Sequence, residues 1–191
     1  MMDVGASVCL VCSDDFDLKE DKMSKLGSIV SICFLSVAVI HVGVGKAATP
    51  PWSYEQDADL GFRYSYPHTL FSETEGDGKP AFHYFVSHDS DAKFLVGAWN
   101  NREGRTPDEF KRWLFTNAGG YDDVTYRPRG RSWFVLSGYR GYDIYYEKVI
   151  FSCGGHVVNV MAITYPTEQR DLYDPVVERM EDTFKPGVPC S

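Results

Sequence analysis

"RPRGRSWFVLSGYRGYDIYYEKVIFSCGGHVVNVMAITYP", residues 127–166, is the stretch that decides the fold. It holds apolar and aromatic runs near 132–137, 142–151 and 156–164, and a further run precedes it at 123–127. The connections "RPRG", "GYRG" and "CGG" are far too short for a parallel crossover, which needs a dozen or more residues. Each is a hairpin loop, so the spacing predicts a four-strand antiparallel meander. Within it, Tyr142, Ile144, Tyr146, Lys148 and Ile150 share one face, while Asp143, Tyr145, Glu147 and Val149 share the other. Both of these faces are mixed. By contrast "VVNVMAIT", and upstream "FLVGAW", are apolar on both faces, so those strands require cover on both sides.

Two helical patterns can supply that cover. In "RTPDEFKRWLFTNAGGYDD", Thr106 is an N-cap, Pro107 fits the first helical position and Glu109 completes a capping box. Phe110, Trp113 and Leu114 recur at helical spacing, and Gly119–Gly120 is the stop. In "YDPVVERMEDTFKP", Asp174 caps, Pro175 starts, and Val176, Val177, Met180 and Phe184 form the apolar stripe before Pro186. Upstream, residues 48–60 form an extended lead-in. "GFRYSYP" alternates Phe62, Tyr64 and Tyr66 as a half-buried strand does, "HTLF" and "EGDGKP" turn the chain, and "AFHYFVS" is another strand. The expectation is an α+β fold: a three-layer α/β/α sandwich around a mainly antiparallel sheet ending in a four-strand meander. The tyrosines would then line the rim of the helix cover, rings buried and hydroxyls wet. An aromatic ligand platform is the alternative.

The order strand–"YP"–turn, strands, capped helix, meander, C-terminal helix resembles the PsbP-like fold, shared with DcrB-like bacterial envelope proteins. "SCGGHVVNVMAITYP" followed by "YDPVVERMEDTF" and a late Cys190 is similar to small exported bacterial proteins without an assigned activity. The resemblance spans about residues 60–190 and rests on packing and turn motifs. It implies an accessory or binding module rather than an enzyme, and it transfers no functional residue onto this chain.

The N-terminal part has its own pattern. Lys25 precedes the apolar run "LGSIVSICFLSVAVIHVGV" at 26–44, and Gly45 and Ala47 follow it. These are the parts of a secretory signal over 23–47, cleaved after Ala47. An uncleaved anchor is the alternative, although His41 and several Gly and Ser interrupt the run. The bulky Ile32 before Cys33 argues against lipid attachment. Residues 1–22 end acidic, unlike the start of a signal, and are read as a non-native or disordered leader with synthesis beginning at Met23. Cys9 and Cys12 have half of a metal or redox spacing and no second half nearby. A single globular domain, 48–191, is expected in the periplasm or outside the cell, touching the membrane only through its signal.

Charge and cysteines bound the function. The chain carries 27 acids against 19 Lys and Arg, a formal net charge of −8, which excludes a nucleic-acid binder with a net basic face. After signal removal Cys153 and Cys190 remain, an even pair that an oxidising compartment would join. That bridge would hold the tail "KPGVPCS" and contribute roughly 3–4 kcal/mol by loop-closure entropy. No nucleophile elbow, phosphate loop or zinc-protease helix is present, and no catalytic residue, metal ligand or cofactor is assigned. "HYFVSHDSD" offers His83, His88, Asp89 and Asp91, read as polar turn residues rather than metal ligands.

One constellation follows from topology. Alternate turns of a meander lie at the same end of the sheet, so Arg127, Arg129 and Arg131 should approach the turn of Cys153, Gly154, Gly155 and His156. Guanidiniums and glycine amides together could receive a carboxylate, a phosphate or an acidic partner loop. The first expectation is therefore a non-enzymatic exported domain acting on an envelope protein or small ligand. A small-molecule carrier, or a hydrolase or metal-dependent enzyme using His83, His88 or His156, is the alternative.

Overall fold

A computed structural model describes residues 50–75, 82–117, 120–121 and 123–187. The signal segment, Cys9, Cys12, Cys33, the "GDGKP" turn, Gly119 and Cys190 lie outside the described residues.

Seven antiparallel strands build the main sheet. In chain order they are β3 (Phe71–Thr74), β4 (Phe82–Ser87), β5 (Lys93–Asn100), β6 (Asp123–Tyr126), β7 (Trp133–Arg140), β8 (Asp143–Ser152) and β9 (Val157–Pro166). Their spatial order is β3-β4-β5-β9-β8-β7-β6. The expected meander is the run β6 to β9. A three-strand meander, β3 to β5, joins it through the pairing of β5 with β9, in register from Lys93↔Thr164 to Asn100↔Val157. β9 is thus the central strand, and all its residues between Val157 and Pro166 are buried. That position explains why "VVNVMAIT" is apolar on both faces.

Each face has its own core. On one, helix α1 (Pro107–Asn117) sets Phe110 and Leu114 against Leu95, Phe134, Leu136, Val149, Val158 and Val160. On the other, helix α2 (Arg170–Thr183) brings Tyr173, Val176, Val177 and Met180 onto Phe94, Val96, Ile144, Met161 and Ile163. Burying each such side chain contributes roughly 1.5–3 kcal/mol before entropy is counted. The three-layer sandwich is what the two amphipathic helices implied.

The structure departs from the sequence reading in four places. First, the lead-in contains β1 (Ser53–Gln56), which pairs with β2 (Arg63–Tyr66) in a separate two-stranded sheet. β2 therefore lies in the outer layer beside α2. Phe62 and Tyr64 enter the α2-side core, Ser65 N–H donates to Thr183 Oγ1 at 3.0 Å, and Arg63 bridges Lys185. Period-two alternation marks a half-buried strand but not which sheet it joins. Second, the "HTLF" turn runs into a strand, β3, whose Phe71 pairs with Ser87.

Third, α2 begins at Arg170, five residues before Pro175, after a 3-10 turn at Thr167–Gln169. Proline lacks the N–H that would bond back to residue 171. The earlier turn forms anyway because it buries Tyr173 against Phe71 and Tyr165. Asp174, expected as the cap, instead accepts the Tyr165 hydroxyl at 2.7 Å. Fourth, Tyr145 and Tyr146 are buried to their hydroxyls, which burial holds far from ionisation at Tyr146. Tyr142 alone of the three stands in solvent, 90 % exposed. The aromatic platform does not form, because β8 is covered on both faces.

Candidate functional site

Strand β8 returns to β9 through Cys153–His156, a turn in which Cys153 itself has a positive φ of 56°. The turn between β6 and β7 meets it at the same end of the sheet, with Phe151 N–H donating to Ser132 O at 2.7 Å. Arg127, Arg129 and Arg131 are exposed in that turn, and His156 is exposed in the neighbouring one. The meander thus places the expected arginines and histidine at one end, as alternating turns require.

A third loop, 101–106 between β5 and α1, completes this end and brings Arg102 and Arg105. Buried Asn101 fastens it. Its Nδ2 donates to Gly155 O and to Arg105 O, both at 2.8 Å, and its Oδ1 accepts Arg105 N–H at 3.1 Å. Asn101 N–H donates to His156 O at 2.7 Å. Arg105 stacks on Trp113, 4.9 Å from the ring centroid, and pairs with Glu103. The sequence reading missed Asn101, Arg102 and Arg105. Their signal was present in "NREGRT", but only the β5–β9 pairing reveals which turn they join.

Helix α1 starts from this end with the expected capping box. Thr106 N–H donates to Glu109 Oε2 at 2.8 Å and Glu109 N–H to Thr106 Oγ1 at 3.3 Å. The Thr106 N–H and the Thr106 hydroxyl, which also donates to Glu109 Oε2 at 2.8 Å, hold the Glu109 carboxyl below its ordinary range. Next to the cap, Asp108 Oδ1 receives Arg129 Nη1 at 2.8 Å and lies 3.8 Å from Lys111 Nζ. A shallow depression of about 80 Å³ lies there, lined by Thr106, Pro107, Asp108, Arg129, Arg131 and Trp133 among others. Part of the backbone N–H array at this end is committed. Gly130 N–H donates to Trp133 O, His156 N–H to Cys153 O and Gly104 N–H to Asn101 O.

Of the three histidines of the enzymatic alternative, His156 stands at this end, while His83 and His88 lie elsewhere and are engaged. His83 lies between two carboxylates, Nε2 3.3 Å from Asp57 Oδ2 and Nδ1 3.0 Å from Glu73 Oε1. His88 Nε2 lies 3.1 Å from Ser72 Oγ. Among the described residues no group of three or more His, Cys, Asp or Glu is arranged to hold a metal ion.

A second polar group escaped notice in the sequence. Glu147 on β8 is 4 % exposed, opposite Leu136 and Ala162 on the flanking strands. Burial raises its carboxyl to about 7, against the lowering effects of the Tyr121 hydroxyl, which donates to Oε2, and of Arg140. Arg140 crosses the Tyr145 ring at 5.7 Å and donates from Nη2 to Gly120 O at 2.8 Å. Gly120 has φ +71°, and a Cβ there would stand 1.8 Å from Arg140 Nη2. The segment leaving α1 is thus pinned to the sheet at two points.

With this geometry in view, the fold can be placed among known ones. No protein-family model matches the chain, and no characterised protein sequence is significantly similar to it. Its fold is PsbP-like. The solution structure of cyanobacterial PsbP (CyanoP) from Synechocystis sp. PCC 6803 superposes with a TM-score of 0.53 at 10 % identity, covering 75 % of this chain and 97 % of that one. The Ran-binding protein Mog1p of Saccharomyces cerevisiae matches at 0.48 and 9 % identity, over 72 % and 96 % of the two chains. A Bacteroides thetaiotaomicron structure matches at 0.45 and 15 %, over 74 % and 50 %.

Proposed function

We propose that the chain is an exported, non-enzymatic accessory domain that binds another component of the cell envelope through its basic end. The observation that carries this reading is the convergence of three loops, 101–106, 127–132 and 153–156, tied by Asn101 and by the Arg129–Asp108 pair. A protein of net charge −8 here presents arginines on a fixed frame. Such a local basic patch steers an acidic partner without making the whole molecule adhesive. The interlayer spaces in which a carrier would hold cargo contain packed rings, Phe85 stacked on Phe94 at 4.1 Å and Phe110 tilted against Trp99 at 5.7 Å. Export rests on the signal pattern of residues 23–47, and a Cys153–Cys190 bridge is part of the same reading.

The test is site-directed photo-crosslinking in cells that make the full chain. A photoreactive residue at Arg131 should capture a discrete envelope component, and one at Tyr142, at the opposite end of the sheet, should not. N-terminal sequencing of the same cells' periplasmic fraction should give a chain starting at Ala48. Equal, diffuse labelling from both positions would refute the docking end, and a cytoplasmic chain retaining residues 23–47 would refute export.

A further inference from the structure

We propose that the ligand of the basic end is an acidic protein segment, and that Asp108 is its built-in placeholder. This rests on the reading of that end as a docking surface. Three observations identify the ligand's chemistry. The site already holds a carboxylate, since Asp108 Oδ1 is 2.8 Å from Arg129 Nη1 beside the depression that Arg131 also lines. Both partners are more than half exposed, the Arg129 side chain at 62 % and that of Asp108 at 56 %, so an incoming carboxylate can reach and replace the internal one. Exposed pairs of this kind are weak and screened, which makes the exchange nearly free of penalty.

The third observation weighs a carboxylate against a phosphate. Phosphate sites are cradled by free backbone N–H groups. Of the backbone amides at this end, those of Gly130, Gly104, Arg105 and His156 already donate within the loops, which reduces what such a cradle could offer. The exposed guanidiniums of Arg127, Arg129 and Arg131 remain, three separate cations that several carboxylates of one acidic segment can meet. Arginine's planar fork receives carboxylates and phosphates alike, so the preference for a carboxylate rests on the one the site already holds at Asp108. When the segment arrives, Asp108 releases Arg129 and keeps its place in the first turn of α1, where a carboxylate is favoured by the helix dipole. The internal pair therefore lowers resting affinity and keeps Arg129 extended toward the depression.

The experiment uses the full chain and a fluorescein-labelled hexaglutamate peptide followed by anisotropy. Wild-type protein should bind with an affinity that falls as salt rises. Asp108→Asn should tighten binding roughly two- to fivefold, the range set by a weak exposed pair. The remote control Asp171→Asn changes net charge equally and should leave affinity unaltered. Arg127, Arg129 and Arg131 replaced together by Gln should lose at least about tenfold, with the urea midpoint of that variant unchanged. If the arginine variant loses binding and Asp108→Asn does not tighten, or tightens no more than Asp171→Asn, the placeholder is wrong and the docking end survives. If hexaglutamate binds the wild type and the arginine variant equally, the docking reading itself fails. Displacement of the peptide by inorganic phosphate at matched ionic strength would overturn the acidic segment in favour of a phosphate ligand.

Discussion

Glu147 makes the stability of this protein depend on pH in a direction opposite to that of most carboxylates. Its carboxyl is raised by burial from the ordinary 4.5 to about 7, so the folded chain keeps a proton that the unfolded chain releases. Stability from this residue is complete below about pH 4.5 and is lost as pH rises through 7. At about 1.4 kcal/mol for each tenfold change in proton affinity, the loss amounts to ~3 kcal/mol, a sizeable part of a domain's 5–15. The groups facing Glu147 are Tyr121, Tyr145 and Arg140. Of these the Tyr121 hydroxyl and the Arg140 charge both favour the ionised form, so replacing Arg140 would steepen the effect. Asp89 and Glu181 titrate the other way: the Ser87 hydroxyl lowers the first, and against the raising effect of burial Lys148 and Tyr146 lower the second, so their contribution to stability is lost as pH falls. Glu147→Gln isolates the buried group, because Gln keeps an acceptor for the Tyr121 hydroxyl and cannot ionise. Urea unfolding of both proteins from about pH 4 to pH 8 is the assay. The wild-type curve should fall relative to the variant by ~3 kcal/mol across that range. Parallel curves would show that Glu147 is ionised in the fold or open to water, and the reasoning would be wrong.

Other residues give sharper local tests. Gly138→Ala puts a Cβ 1.7 Å from the Asp123 carbonyl oxygen, a backbone atom that cannot swing away. It should destabilise by more than about 2 kcal/mol and free the β6 amides to exchange, as read by hydrogen exchange. Asn101→Ala removes the ties to Gly155 and Arg105. Roughly 2–3 kcal/mol should be lost in denaturant melts, together with protection of the His156 and Arg105 amides. Thr106→Ala breaks the α1 capping box and should cost about 1 kcal/mol by the same measurement, with exchange protection falling first in the opening turn of α1.

How much of this was legible in the sequence depended on whether the deciding contact was local. The meander was legible because "GYRG" and "CGG" leave the chain no alternative to turning back. Helix α1 was legible because Thr106, Pro107 and Glu109 state its start within four residues, and the capping bonds form as expected. Helix α2 was placed late. Asp174–Pro175 is a strong local signal, but Tyr173 gains more by packing on Tyr165 than the missing proline N–H costs. The layer that β2 joins could not be read, since the bond from Arg63 N–H to Lys185 O that sets it beside α2 joins residues far apart in the chain. For the site, the sequence supplied Arg127, Arg129, Arg131 and His156 through hairpin geometry alone. Asn101 and Arg105 join them by way of the β5–β9 pairing, and no spacing rule announces such a pairing.

That same pairing has a temporal consequence. The middle of the sheet is made by the last strand to leave the ribosome, with Lys93 waiting for Thr164 and Asp143 for Pro166. Until β9 emerges, the two flanking meanders have no common neighbour, and nascent polypeptide cannot lock into its final form. A sheet closed from its centre outward, and at the end of synthesis, leaves its core open until β9 is made.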